Sequence, residues 1–296
     1  MRSRFLIVLA ASLCASAYAY SQDAAGVAME FAARGTDPVS YALGGTTAFN
    51  STASLIHGDA KGEISFNFAP YKTKATKATD LGANVFIKAG EKLAFGVTFF
   101  REGLESIDNY NAQGVKSGSF TPSNMAVGGS VAYKFMPELS LGASVRYLDS
   151  KLTDSDKFNT VAVDVMVSGA AGGFKYAAGV TNLGGKIKDS AGEEYPIPSA
   201  ATAAGRYGYS GGEHSIEGTL QADVFFKGGL RAGIGAQYGF KDMLFVRAGY
   251  SHGGDTVLPS YPSAGIGVKF GSFQLDATAL FGDLAGTFVA GLKFRF

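Results

Sequence analysis

The chain has 296 residues, 46% of them hydrophobic, and its 26 Lys+Arg against 25 Asp+Glu leave a formal net charge of +1. So even a balance removes the electrostatic basis for a nucleic-acid partner. The 41 Gly, 23 Phe and 14 Tyr, with no Trp, are the glycine and aromatic usage of membrane barrels more than of soluble enzymes.

The opening MRSRFLIVLAASLCASAYAYSQ places Arg2 and Arg4 before an apolar run that ends in Ala17-Tyr18-Ala19. This is the layout of a signal peptide over residues 1–19, cleaved after Ala19. Without Arg2 and Arg4 the Lys+Arg count falls from 26 to 24, still near neutral. Cys14, the single cysteine, lies inside this leader, so the mature chain is expected to hold no disulfide and no thiolate site. Leu13 just before it argues against a lipoprotein.

Residues 20–60 do not alternate. DAAGVAMEFAAR offers a helical turn or two, and Asp37-Pro38 opens a stretch of small residues. This part is expected to be a periplasmic or lumen-inserted segment, helical or plug-like, ahead of a barrel over residues 61–296.

From Lys61 onward, period-two segments follow one another between turn residues. GEISFNFAP, LGANVFIKA, KLAFGVTFF, SNMAVGGSVAYKF, ELSLGASVRY, NTVAVDVMV and GFKYAAGVTN lead to SAATAAGRYGYS, a weak segment made mostly of alanine. HSIEGTLQADVFF, GLRAGIGAQYGF, MLFVRAGYS, SAGIGVKF, SFQLDATALF and the final GTFVAGLKFRF complete the set. About fourteen segments of roughly ten residues fit an all-β fold, a transmembrane antiparallel barrel in an outer membrane. Alternate connections are tight, at Gly90-Glu91, Met136-Pro137, Gly169–Gly172, Gly211-Gly212, Lys241-Asp242 and Gly271. Those between them are longer, apart from Lys227-Gly228 and GDLAG.

The polar face of these strands carries Lys134, Arg146, Asp164, Lys175, Arg206, Glu217, Asp223, Arg231, Arg247, Lys269, Asp276, Lys293 and Arg295. So many charges cannot face lipid, so they are expected to line the lumen. Phe99, Tyr133, Phe135, Tyr147, Tyr209, Phe225, Tyr238, Phe240, Tyr250, Phe270, Phe281 and Phe296 fall near strand ends, where interfacial aromatic girdles belong. His57, His214 and His252 are scattered, and no nucleophile–base pair or carboxylate dyad emerges. Neither a catalytic activity nor a cofactor is expected.

GVTFFREG, the stretch from Gly118 to Leu152, TVAVDVMV, GVTNLGGKIK, IGAQYGFKDMLFVRAGY and the final LKFRF resemble the PorV/PorQ family of Bacteroidetes outer-membrane proteins, relatives of FadL-type barrels. ARGTDPVSYALGGTTAF is similar to the family's glycine-rich N-terminal turn, but the Asn-Pro-Ala element that follows it there is missing. The resemblance implies a fourteen-stranded barrel working with the type IX secretion system, binding or shuttling secreted cargo and contacting other secretion subunits. The terminal aromatic strand also resembles the signal read by outer-membrane assembly machinery, which would make Phe296 that signal, the alternative being one more girdle residue. The competing readings are a FadL-like channel for a hydrophobic small molecule and a purely structural barrel or adhesin scaffold.

Overall fold

The computed structural model describes residues 26–296 except 73–76, 154–155, 190–191, 228, 254–258 and 283–286. The expected leader lies outside the described residues. The strands are β1 (Gly62–Lys72), β2 (Lys77–Ala89), β3 (Leu93–Leu104), β4 (Ile107–Tyr110), β5 (Lys116–Phe120), β6 (Ser123–Met136), β7 (Leu139–Lys151), β8 (Lys157–Ala171) and β9 (Phe174–Gly184). They continue as β10 (Lys186–Lys188), β11 (Glu194–Pro196), β12 (Ala200–Gly211), β13 (His214–Phe225), β14 (Gly229–Phe240), β15 (Leu244–His252), β16 (Tyr261–Phe270), β17 (Phe273–Leu280) and β18 (Phe288–Arg295).

Fourteen of these strands pair antiparallel into one closed barrel, while β4–β5 and β10–β11 are separate two-stranded hairpins set in the connections. β18 closes on β1 in a register that pairs Glu63 with Arg295 and Phe68 with Ala290. No strand edge is left for lipid to meet, which is the condition for spanning a bilayer with strands.

The connections alternate in length except between β13 and β14, which are joined by residues 226–228 alone. Those following β2, β6, β8, β12, β14 and β16 are two or three residues long, and those on the opposite end carry both hairpins. The turn expected at Gly169–Gly172 sits at Gly172-Gly173 instead, because β8 stays paired with β9 through Ala171↔Phe174. The alanine-rich segment forms a complete strand, β12, bonded to β9 on one side and β13 on the other.

The outer surface follows the period of two. Phe66, Val97, Val145, Leu220, Ile234, Ile266 and Leu275 are all exposed, so the wall presents an apolar belt to its surroundings. The aromatic residues named above are exposed in the same way except Phe240, which is half-buried, and Phe225. Phe225 is 2% exposed: it shares the inward parity of Asp223 at the end of β13 and is buried in the lumen, so it is no girdle residue.

Residues 26–61 form a strap through the lumen. It contains a 3-10 turn at Glu30–Ala33, helix α1 (Pro38–Ala42), a second 3-10 turn at Ala48–Asn50 and helix α2 (Thr52–Leu55). At the end with the long connections, Ala28 N–H donates to the Pro196 carbonyl of β11 at 2.9 Å. At the tight-turn end, Lys61 and Gly62 N–H groups both donate to the Phe296 carbonyl, at 2.7 and 2.9 Å.

An arginine in place of Val145, on the lipid side, is expected to destabilise the assembled barrel by roughly 2–4 kcal/mol near the bilayer midplane. Lys134→Ala, on the inner face near the tight turns, is expected to change little. Urea unfolding in lipid vesicles, followed by heat-modifiable mobility on gels, measures both; a large loss from Lys134→Ala with none from Val145→Arg would invert the faces.

Candidate functional site: a strap-filled lumen

Of the charged side chains singled out on the inner face, Lys175 is exposed near the start of β9, and most of the others are buried or half-buried and matched. Arg146 meets Asp164 at 3.1 Å, Arg206 meets Glu217 at 3.4 Å, and Arg231 meets Asp223 at 2.7 Å. Arg247 meets Asp276 at 2.7 Å, with both side chains almost wholly buried. Lys269 pairs with Asp242 at the tight-turn end. Lys134 stands opposite buried Ser140, and Lys175 opposite Arg206. These charges are therefore not an open filter: they are pairs, and two of the remaining cations reach acids outside the original set. Lys293 binds Asp37 of the strap at 2.7 Å, and Arg295 binds Glu63 across the closing seam at 2.7 Å.

Asp37 does two jobs. Its carboxylate caps α1, accepting from Ser40 N at 2.9 Å and Ser40 Oγ at 2.9 Å, while Pro38 occupies the first helical turn. The same carboxylate anchors the helix to the wall through Lys293. Nearer the long-connection end, the strap's Arg34 lies between Asp80 at 3.6 Å and Glu102, which it contacts directly. Asp80 and Glu102 are register partners on β2 and β3, both buried, so one guanidinium serves two facing acids.

Wall hydroxyls and amides satisfy the strap's short helices and turns. Thr278 Oγ1 donates to Pro38 O at 2.7 Å, Ser140 Oγ to Ala53 O at 2.6 Å, and Gln221 Oε1 accepts from Ala48 N at 2.9 Å. These bonds replace the partners that short helices leave missing at their ends. Phe49 packs among Ala132, Ala177 and Ala204, and the Arg206 guanidinium lies 4.4 Å over its ring. The strap turns after α1 at Gly44, φ +73°, and passes hard against the wall. A Cβ on Gly235 would come 2.5 Å from Leu43 Cα, and one on Gly249 would come 2.7 Å from the Leu43 carbonyl carbon. Only glycine fits at those two wall positions.

A cavity of about 330 Å³ remains between the strap and the wall formed by β1–β3 and β6–β8, reaching β12–β14. On the long-connection side it is roofed by a buried apolar cluster that includes Met29, Phe31, Phe100, Leu148, Ile187 and Ile197. Phe31 and Phe100 stack with centroids 5.9 Å apart and planes 7° apart.

Glu63 could have been found from the sequence, since it shares the inward parity of Ser65 and Asn67 in GEISFNFAP. Asp80 and Glu102 escaped because β2 and β3 extend beyond the alternating segments, to Lys77 and Leu104. Arg34 and Asp37 lie in the aperiodic strap, where no spacing signals a partner on a distant strand, whether Asp80 and Glu102 or Lys293.

Lys293→Met leaves the Asp37 carboxylate buried without its cation, and is expected to cost about 3–5 kcal/mol. Adding Asp37→Asn keeps a good helix cap and removes the charge, so the double variant is expected to regain most of that loss. Chemical unfolding of the two variants checks this; a double variant no better than the single would refute the pairing.

No family model matches the chain, and no curated protein matches it. Among solved structures it is similar to the P. putida toluene transporter TodX, at 12% identity and a TM-score of 0.60, covering 89% of this chain and 99% of that one. It is also similar to the CymD monoaromatic hydrocarbon channel, at 11% identity and a TM-score of 0.57, covering 88% and 98%. At such low identity the likeness is one of fold, and the fold the chain shares with them is that of an outer-membrane β-barrel.

Proposed function

We propose that the protein is an outer-membrane channel for a small hydrophobic molecule. The observation that carries this is the buried apolar cluster around Phe31 and Phe100, set at the long-connection end directly above the lumen cavity. A pore for ions or sugars wants a continuous aqueous path, whereas this lumen is occupied along its length by the strap and entered past aromatic side chains. The structural similarity to TodX and CymD supports the same reading.

A second reading, a barrel serving the type IX secretion machinery and its cargo, draws on the resemblance of the sequence stretches. One structural feature favours it: the β4–β5 hairpin, set outside the barrel sheet, exposes Ile107 and Tyr110, with Val115 exposed in its turn. Pull-down from outer membranes separates the two, since secretion subunits or cargo domains would support the second.

Vesicles containing the protein are expected to take up a labelled monoaromatic hydrocarbon faster than empty ones, while planar bilayers show negligible ion conductance. Phe31→Ala combined with Phe100→Ala is expected to alter the uptake rate. Uptake equal to that of empty vesicles would end the channel reading.

Phe296 fits the proposed assembly signal as the exposed last residue of the closing seam. A chain ending at Arg295 is expected to accumulate unassembled, whereas Phe288→Ala, on the same face, loses only part of roughly 1.5–3 kcal/mol of burial. Equal outer-membrane yields would leave Phe296 as one more girdle residue.

A further inference from the structure

Eight charged residues border the lumen cavity, and each has its counter-charge within the protein. Arg34 is matched by Asp80 and Glu102, Asp37 by Lys293, Glu63 by Arg295, Arg146 by Asp164, and Asp223 by Arg231. The neutral polar groups on the cavity wall also bond mainly to one another. Thr98 Oγ1 donates to Asn84 Oδ1 at 2.8 Å, and Asn84 Nδ2 to Ser65 Oγ at 3.3 Å. Thr52 and Ser130 hydroxyls share a 2.6 Å bond, and Thr202 Oγ1 donates to Asp223 at 2.7 Å. What the wall leaves unspent is mainly apolar: Phe31, Phe100, Ala126, Met166 and Phe225, all buried, while Arg146 Nε lacks a hydrogen bond although its guanidinium is paired with Asp164.

We infer that this cavity selects a neutral, compact molecule of one or two rings and rejects carboxylates and ammonium ions of the same size. An ion entering it would give up its hydration and meet no bordering charge that lacks a partner, since Asp80 and Glu102, the two acids that share Arg34, lie outside the cavity lining. Recruiting one partner of an existing pair would strand the other in a buried place, which is costlier still. A neutral ring loses little hydration and gains contact with the aromatic wall. The volume sets the upper limit on size: an apolar cavity of roughly 150 Å³ holds one benzene, and this one measures about 330 Å³. The inference rests on the channel reading for what the selected molecule is doing there, while the selectivity itself is a property of the cavity.

Three probes of one shape separate the possibilities: 4-fluorobenzamide, 4-fluorobenzoate and 4-fluorobenzylammonium, followed by 19F line broadening with the purified full chain in amphipol. The amide is expected to bind roughly tenfold or more tightly than either ion, which is the discrimination that an unpaired buried charge implies. Ala126→Leu and the bulkier Ala126→Phe fill the cavity from β6 and are expected to weaken amide binding by a similar factor. Heat-modifiable gel mobility establishes that each variant is folded. Ions binding as well as the amide, no probe binding at all, or amide binding unchanged in a folded filled variant would each overturn the inference. Hydrocarbon uptake that persists without selective amide binding would sink this inference alone. Selective binding without uptake would sink the channel reading alone.

Discussion

A strand in a bilayer cannot leave a backbone edge unpaired, and the rest of this structure depends on that constraint. It forces β18 back onto β1, and the number of strands needed to carry the alternation then sets the circumference. Barrels of about eight strands can fill their interior with their own side chains. With fourteen strands, this one cannot. The space left over is taken by residues 26–61, so the strap is as much a consequence of closure as the apolar belt is.

Filling a lumen with backbone brings a second requirement. Each short helix and 3-10 turn of the strap carries polar groups that water would otherwise satisfy, and the inner wall supplies hydroxyls and amides in their place. Ion pairs then fix position. Buried pairs such as Asp37–Lys293 and Arg247–Asp276 add little net stability over well-packed apolar groups, yet either partner is strongly missed when removed alone. Their effect here is to define one register of strap against wall, since sliding the strap by a residue would strand Asp37, Arg34 and Lys293 together.

The barrel was legible in the sequence because lipid and lumen impose opposite chemistry on neighbouring residues. Val145 beside Arg146 and Leu275 beside Asp276 show this in sequence alone, and the tight turns mark where the chain reverses. An aperiodic, plug-like segment was legible ahead of the barrel, but where it touches the wall was not. Its contacts follow no period, and the glycines that receive it, such as Gly235 and Gly249, read in sequence as ordinary barrel glycines. The alanines of β12 read as a weak strand, yet Ala204, like Ala177 on β9, is small because Phe49 lies against it. Phe225 misled for the opposite reason: an aromatic near a strand end suggests a girdle, and only the parity of Asp223 reveals that it turns inward. The stretches that resemble the PorV/PorQ family are patterns of wall residues, which describe how a barrel is built better than what passes through it.

Because Lys61 and Gly62 both bond to the Phe296 carbonyl, the strap runs without a break into the first strand and ends where the last strand ends. The order of events during biogenesis follows from this. Once β1 and β18 have zipped together, residues 26–60 would have to be threaded through a finished ring whose inner wall touches them closely. The strap must therefore already lie against the nascent sheet while the sheet is still open, and the wall curls around it. Closing the seam is the last step, and it is the step that makes the interior permanent.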